Sequence, residues 1–134
     1  MTNAVDPSLD HFIDTFVRAE IMGDPECMDM IYAEDQASLV IDAQGSVARL
    51  SRAEMLEALR AAEANEAAPP ALDYRVLHIE QQGSDAVVLL YRRRHARAAP
   101  VMSELRLRRY ALSWLVTGET IMSWPGASLS AEAA

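Results

Sequence analysis

Two hydrophobic rhythms divide this chain. Leu9, Phe12, Ile13, Phe16 and Val17 fall at i, i+3, i+4, i+7 and i+8, one stripe of a first helix. Asp6 caps that helix, Pro7 fits its first position and Gly23 ends it. Asp24-Pro25 opens a short second helix with Met28, Ile31 and Tyr32 on its apolar face. Ser38 to Asp42 reads as a short strand, turned by Ala43-Gln44-Gly45, and Ser46 to Leu50 as its return. Ser51-Arg52-Ala53-Glu54 matches a capping box. It predicts a third helix to about Asn65, burying Met55, Leu56, Leu59 and Ala62 before Pro69-Pro70.

From Leu72 onward the rhythm changes to period two. The expected strands are Leu72 to Gln81, Asp85 to His95, about Glu104 to Thr117, and Glu119 to Trp124. Gly83-Ser84, the segment around Pro100, and Gly118 are the expected turns. Helices followed by such a meander predict an α+β fold, with helices on one face of an antiparallel sheet.

Composition narrows the setting. A chain of 134 residues is the size of one domain, with a core at about 8–127 and a frayed tail at 128–134. Hydrophobic residues make up 51% and mean hydropathy is −0.02. No window has the 18 or so apolar residues of a membrane helix. The N-terminus carries acids where a secretion signal has a basic head, so a cytoplasmic location is expected. The single Cys27 has no partner for an internal disulfide.

The net charge is −8, yet seven of the twelve basic residues, all Arg, lie between Leu90 and Tyr110. With the loop at Ala98-Ala99-Pro100, Arg94 faces Arg106 and Arg92 faces Arg108. Asp73 then falls near Arg94 and Arg75 near Arg92. The hairpin splits its arginines between the two sheet faces, which leaves open which of Arg92, Arg94, Arg106 and Arg108 point outward to a partner subunit; Arg93 and Arg109 are the candidate anion contacts in the cone. Three readings compete for this segment. It is an exposed or dimer-facing sheet surface, an anion site, or a nucleic-acid contact. The first is the most economical, and the acidic bulk of the chain opposes the last. No nucleic-acid partner is expected.

Other chemistry is sparse. His11, His78 and His95 are widely separated, without metal-ligand spacing, so no metal is expected. No nucleophile elbow or phosphate loop is present, and no cofactor is expected. Asp42 and His78 are the candidate catalytic residues. Asp42 also reads as a turn acid before Gln44-Gly45, and His78 as a sheet histidine.

The element order, with "MGDPECMDMIYAEDQASLVID", "LSRAEMLEAL", "GSDAVVLLYR" and "YALSWLVTGETIMSW", resembles the nuclear transport factor 2-like superfamily over nearly the whole chain. This superfamily includes ketosteroid isomerase and SnoaL-like cyclases. The resemblance implies a curved antiparallel sheet wrapped around N-terminal helices, the first and third, leaving an apolar pocket in a cone, and a homodimer through the outer sheet face. The implied pocket lining is Phe12, Phe16, Tyr32, Ile41, Met55, Leu59, Tyr91, Tyr110, Trp114 and Trp124. The implied ligand is small and mostly apolar. The activities it suggests are those of an isomerase, cyclase or hydrolase; the alternative is a non-catalytic dimeric binding module. The ketosteroid isomerase residues do not carry over. Its Tyr position matches Phe16, its base position matches Ile41 beside Asp42, and its late acid falls near Arg108 or Arg109.

Overall fold

The computed structural model describes residues 6–21, 23–64, 73–93 and 98–124, with the side chains of 62–64 outside that description. Three helices pack on one face of a six-stranded sheet. They are α1 (Pro7–Ile21), α2 (Pro25–Ile31) and α3 (Arg52–Ala64). The strands are β1 (Tyr32–Ile41), β2 (Val47–Ser51), β3 (Asp73–Gln82), β4 (Asp85–Arg93), β5 (Val101–Tyr110) and β6 (Ser113–Ser123). Their order is β2-β1-β6-β5-β4-β3, an open, curved sheet. β1 runs parallel to β6 while every other pair is antiparallel, so the sheet is mixed rather than wholly antiparallel.

Local chemistry explains the helix ends. The Ser8 N–H donates to Asp6 Oδ1 at 2.9 Å, which caps α1. Gly23, at φ 70°, lets the chain leave α1 in the left-handed region, and the Asp24 N–H then reaches the Ala19 carbonyl at 2.8 Å. Asp24 immediately caps α2 through the Cys27 N–H. The Ser51–Glu54 capping box closes in both directions, at 3.1 and 3.2 Å. The α1 stripe is buried as its spacing requires: Leu9, Phe12, Ile13, Phe16 and Val17 meet Val88, Leu90, Leu105, Leu107, Trp114 and Val116 of the sheet. Met55, Leu56 and Leu59 close the core from α3.

Two expected turns move. Gly118 does not end a strand; it lies within β6, beside a bulge where Arg106 pairs with Gly118 and Leu107 with Val116. The hairpin instead turns at Ala111-Leu112, with Ala111 at φ 53°. Gly118 instead leaves room for a side chain on the neighbouring strand. A Cβ there would lie 2.6 Å from the Arg106 guanidinium, which lies across it and donates to Glu104 at 2.7 Å. Thr117 is the extra residue, and it reverses the in–out phase of the second half of β6.

The arginine register also differs. β5 begins directly after Pro100, so Arg92 pairs with Val101, Arg106 with Val87 and Arg108 with Asp85. Among the described residues no arginine of this hairpin faces another in that ladder. On the other side of β4, Asp73 pairs with Arg93 and Arg75 with Tyr91. Arg94, His95, Arg97, Ala62, Asn65, Pro69-Pro70 and the tail 128–134 lie outside the described residues. No helix among the described residues is long and apolar enough to cross a membrane.

The α1 N-terminus is doubly tied, since Asp6 also accepts from Arg109 Nη1 at 2.8 Å and Ser8 Oγ accepts from Trp114 Nε1 at 3.0 Å. Asp6→Ala removes the cap and the ion pair together. It is expected to lower the midpoint of chemical denaturation, with the cap as the larger part.

Candidate functional site

At the C-terminal end of α1 the apolar stripe continues onto an acid. Glu20 is three residues beyond Val17, on the same face, and is buried. Across from it, β4 presents Ala86, Val88, Leu90 and then Arg92 to the interior, each two residues after the last. β6, its phase reversed by the bulge, turns Glu119 inward, where it is fully buried. β1 adds Tyr32, Gln36 and Ser38, and β5 adds Ser103, all buried.

Arg92 is the hub of this cluster. Its Nη1 donates to Glu20 Oε1, its Nε to Ser103 Oγ at 2.8 Å and its Nη2 to Glu119 Oε2 at 3.5 Å. Glu119 Oε1 accepts from the Tyr32 hydroxyl at 3.4 Å and from Ser38 Oγ at 3.5 Å. Gln36 Nε2 donates to Ser38 Oγ at 2.8 Å. The Glu119 contacts are long, so they compensate weakly for the loss of water.

Burial, followed by repulsion from Glu20, pushes the Glu119 carboxyl up to about 8, against the opposing pull of Arg92, Tyr32 and Ser38. Glu119 therefore favours its protonated form more than an ordinary carboxyl does. Burial first, then Glu119 and Glu20, raises the Tyr32 hydroxyl, so it stays protonated. Burial works against the charge on Arg92, but Glu20 and Glu119 outweigh it and its pKa rises. Two atoms, Glu20 Oε2 and Gln36 Oε1, are buried without a hydrogen bond from the described residues.

A cavity of about 270 Å³ opens beside the cluster, lined by Glu20, Ile21, Arg92, Ala98, Ala99, Val101 and Ile121. A second cleft, about 300 Å³, lies between the start of α1 and the β5–β6 turn; His11, Phe12, Met30, Leu112 and Trp114 line it. A third, about 380 Å³, lies by Glu80, Asp85 and Arg106. Its Arg106 is paired with Glu104 and its Asp85 with Arg108. Of these three, the first alone reaches buried polar chemistry.

The residues singled out from sequence scatter around this arrangement. Asp42 is exposed and accepts the Gln44 and Ser46 N–H groups, each at 2.9 Å, within the β1–β2 turn. His78 is exposed on β3 and pairs with Glu80 at 2.9 Å. Neither lines one of these three cavities. Phe16, Tyr32, Met55 and Leu59 are core residues, while Phe12 and Trp114 line the second cleft. Tyr91 packs edge-on against Trp124 at 5.1 Å, on the strand phase opposite to Leu90 and Arg92. Ile41 is half-buried and Tyr110 exposed.

The arginines divide between the two sheet faces. Arg92 points inward and Arg93 outward, where it pairs with Asp73 at 3.1 Å. Strand alternation fixed this once β4 was phased by Val88 and Leu90 rather than by its turn. Arg109 shares the phase of Leu105 and Leu107 but meets Asp6 at the far end of α1. Neither Arg93 nor Arg109 joins the cluster. Among the described residues no group of His, Cys, Asp and Glu is arranged to hold a metal ion.

No protein-family profile and no curated protein matches the chain. Solved structures do match its fold. A nuclear transport factor 2 (NTF2)-like protein of unknown function from Silicibacter pomeroyi has 16% identity and a TM-score of 0.73, covering 87% of this chain and 93% of that one. A putative calcium/calmodulin-dependent protein kinase type II association domain from Thiobacillus denitrificans has 17% identity and a TM-score of 0.67, covering 91% and 99%. A ketosteroid isomerase-like protein from Erwinia carotovora has 14% identity and a TM-score of 0.63, covering 87% and 93%. At these identities the likeness is one of fold, and the fold is NTF2-like.

The cluster has two testable consequences. Glu119 has a folded pKa above its unfolded one, so it favours the folded state fully below about pH 4.5 and loses that contribution as pH rises through about 8. Glu119→Gln should remove this fall, gaining stability relative to the parent between those values, as read by denaturation at stepped pH. Arg92→Met leaves two buried carboxyls without their cation and should cost about 3–5 kcal/mol at neutral pH. Pairing it with Glu20→Met should recover a large part of that.

Proposed function

We propose that this chain binds a small, mostly apolar molecule in the cavity beside Arg92, with the Glu20–Arg92–Glu119 cluster as its polar floor. One observation carries this reading: a buried cluster of two acids and one arginine borders an otherwise apolar cavity inside the cone. Such a cluster is a poor way to stabilise a core, since well-packed apolar residues do so as well or better. Apolar walls with a few convergent polar groups and a displaced carboxyl pKa are the usual marks of a ligand site. Tyr32 and Glu119 stand behind the floor, Tyr32 as a hydrogen-bond donor and Glu119, its pKa raised toward neutrality, as the group suited to proton exchange; this keeps isomerase, cyclase or hydrolase chemistry within this reading.

Native mass spectrometry of gently purified protein tests it directly. The expected result is a co-purified small molecule, lost in an Ala99→Trp variant that fills the cavity while leaving the fold intact. A ligand retained equally in both proteins would refute the location.

The outer sheet face favours a second reading that is compatible with the first: a homodimer. Leu89, Tyr91, Met102, Met122 and Trp124 are half-buried on or beside that face, with Glu104 and Arg106 among them. An acid and a base side by side let two copies pair charges across a twofold axis. The Thiobacillus relative is itself described as an association domain. Light scattering should give twice the chain mass, and Met102→Glu should halve it.

A further inference from the structure

β3 is an edge of the sheet, and among the described residues nothing pairs with its outer side. It is the longer of the two edges, ten residues against five in β2. No Pro or Lys blunts it, and Val76 and Leu77 are each 40% exposed. Such an edge is a template for another strand, and the phase of its free backbone groups decides which strand adds to it.

The β3–β4 hairpin fixes that phase. Gly83-Ser84 is a two-residue turn between Gln82 and Asp85. Gly83 has φ 60° and Ser84 is not in the left-handed region, as a type II′ turn requires. The residues flanking that turn are a hydrogen-bonded pair. Antiparallel pairs then alternate, so Glu80–Val87 and His78–Leu89 bond across the ladder while Gln81–Ala86 and Ile79–Val88 do not. The N–H and C=O groups of Ile79 and Gln81 therefore point to the free edge. Leu77 is the extra residue of a bulge, since His78 faces Leu89 and Val76 faces Leu90. Before the bulge the phase is shifted by one, and the groups at the free edge belong to Tyr74 and Val76.

A second β3, run antiparallel about a twofold axis, meets all of these groups in one register only. Tyr74 then stands opposite Gln81, and Val76 opposite Ile79. A bulge ordinarily hinders edge pairing. Here it lies at the axis of the symmetric register, so the phases match on both sides of it. The same register sets Arg75 opposite Glu80, both exposed and both on the outer face. They fall at a pair without backbone hydrogen bonds between them, where side chains approach most closely. Asp73 meets Gln82, so no like charges come face to face.

We infer that two copies of this chain join edge to edge through β3, with Arg75 against Glu80 of the partner subunit and Val76 against Ile79 of the partner subunit. This contact is separate from the outer-face pairing. It is limited to one strand from each copy, so it is the weaker of the two and forms at higher concentration.

Residue-resolved amide exchange of the full chain, followed across a range of protein concentrations, tests it. The amides of Tyr74, Val76, Ile79 and Gln81 should exchange freely in dilute solution and slow by at least about tenfold in concentrated solution. Those of Arg75, His78 and Glu80, already bonded to β4, should be protected at both. Association without slowing of the first set overturns the edge pairing and leaves the outer-face reading standing. Slow exchange of that set in a particle of single-chain mass shows the edge covered from within the chain, and also overturns it. Arg75→Glu and Glu80→Arg should each weaken the concentration-dependent protection. The double variant should restore it, because the charges again face each other with signs exchanged. A double variant no better than either single one overturns the register. The exchange measurement on the unaltered protein needs no variant, so it stands even if one fails to fold.

Discussion

The burial of Arg92 between Glu20 and Glu119 is the constraint on which the interior of this protein turns. It joins the last turn of α1 to the two strands β4 and β6, which are separated by β5 in the sheet. Ser103 of β5 fills the gap by accepting from the same guanidinium. One side chain thereby spans three strands and a helix. A planar, always-charged fork with five donors suits that task in a way lysine would not.

The position of this cluster reflects a division within the cone. Around the first half of α1 the interior is hydrocarbon: Leu9, Phe12, Ile13, Phe16 and Val17 against Val88, Leu90, Leu105 and Leu107. Around its last turn the interior becomes polar, and the helix is held there by charge and hydrogen bonds. The two regimes have different requirements. The apolar half tolerates changes that conserve volume. The polar half depends on every partner being present, because removing one leaves another charge in a low-dielectric surrounding. The coexistence of a well-packed half with a cavity-bordering polar half is what gives this NTF2-like chain both a stable scaffold and a chemically distinctive surface inside it.

Outside the cone, the arginines behave differently. Arg93, Arg106 and Arg108 pair with Asp73, Glu104 and Asp85 at partly or fully exposed positions, and Arg75 lies over the Tyr91 ring at 4.7 Å. Each such pair adds little to stability in high dielectric. Together they cover the apolar bodies of the outer strands. A segment that reads as one basic tract in the linear chain is three kinds of site in the fold: a buried hub, a surface mosaic and, at Arg109, a tie to the α1 cap.

The sequence by itself determined the elements and their order. Helix spacing, Asp6-Pro7, Gly23, Asp24-Pro25 and the Ser51–Glu54 box act within a few residues, so local physics sets them. Period two fixed most of the strands for the same reason. Half of the cluster was legible too, since Glu20 extends the stripe Leu9–Phe12–Phe16 and Arg92 extends Ala86–Val88–Leu90; a charge in step with an apolar rhythm marks a buried polar site. What only the tertiary structure decided was phase and register. The Thr117 bulge next to Gly118 reverses β6 and sends Glu119 inward, and the loop before Val101 sets which residues Arg92 and Arg106 face. A one-residue slip exchanges the two faces of a strand, and no local signal in β6 announces which residue will be the extra one. The parallel pairing of β1 with β6 brings together residues about eighty positions apart, Ser38 and Glu119 among them. That juxtaposition exists only once the sheet has closed over the helix.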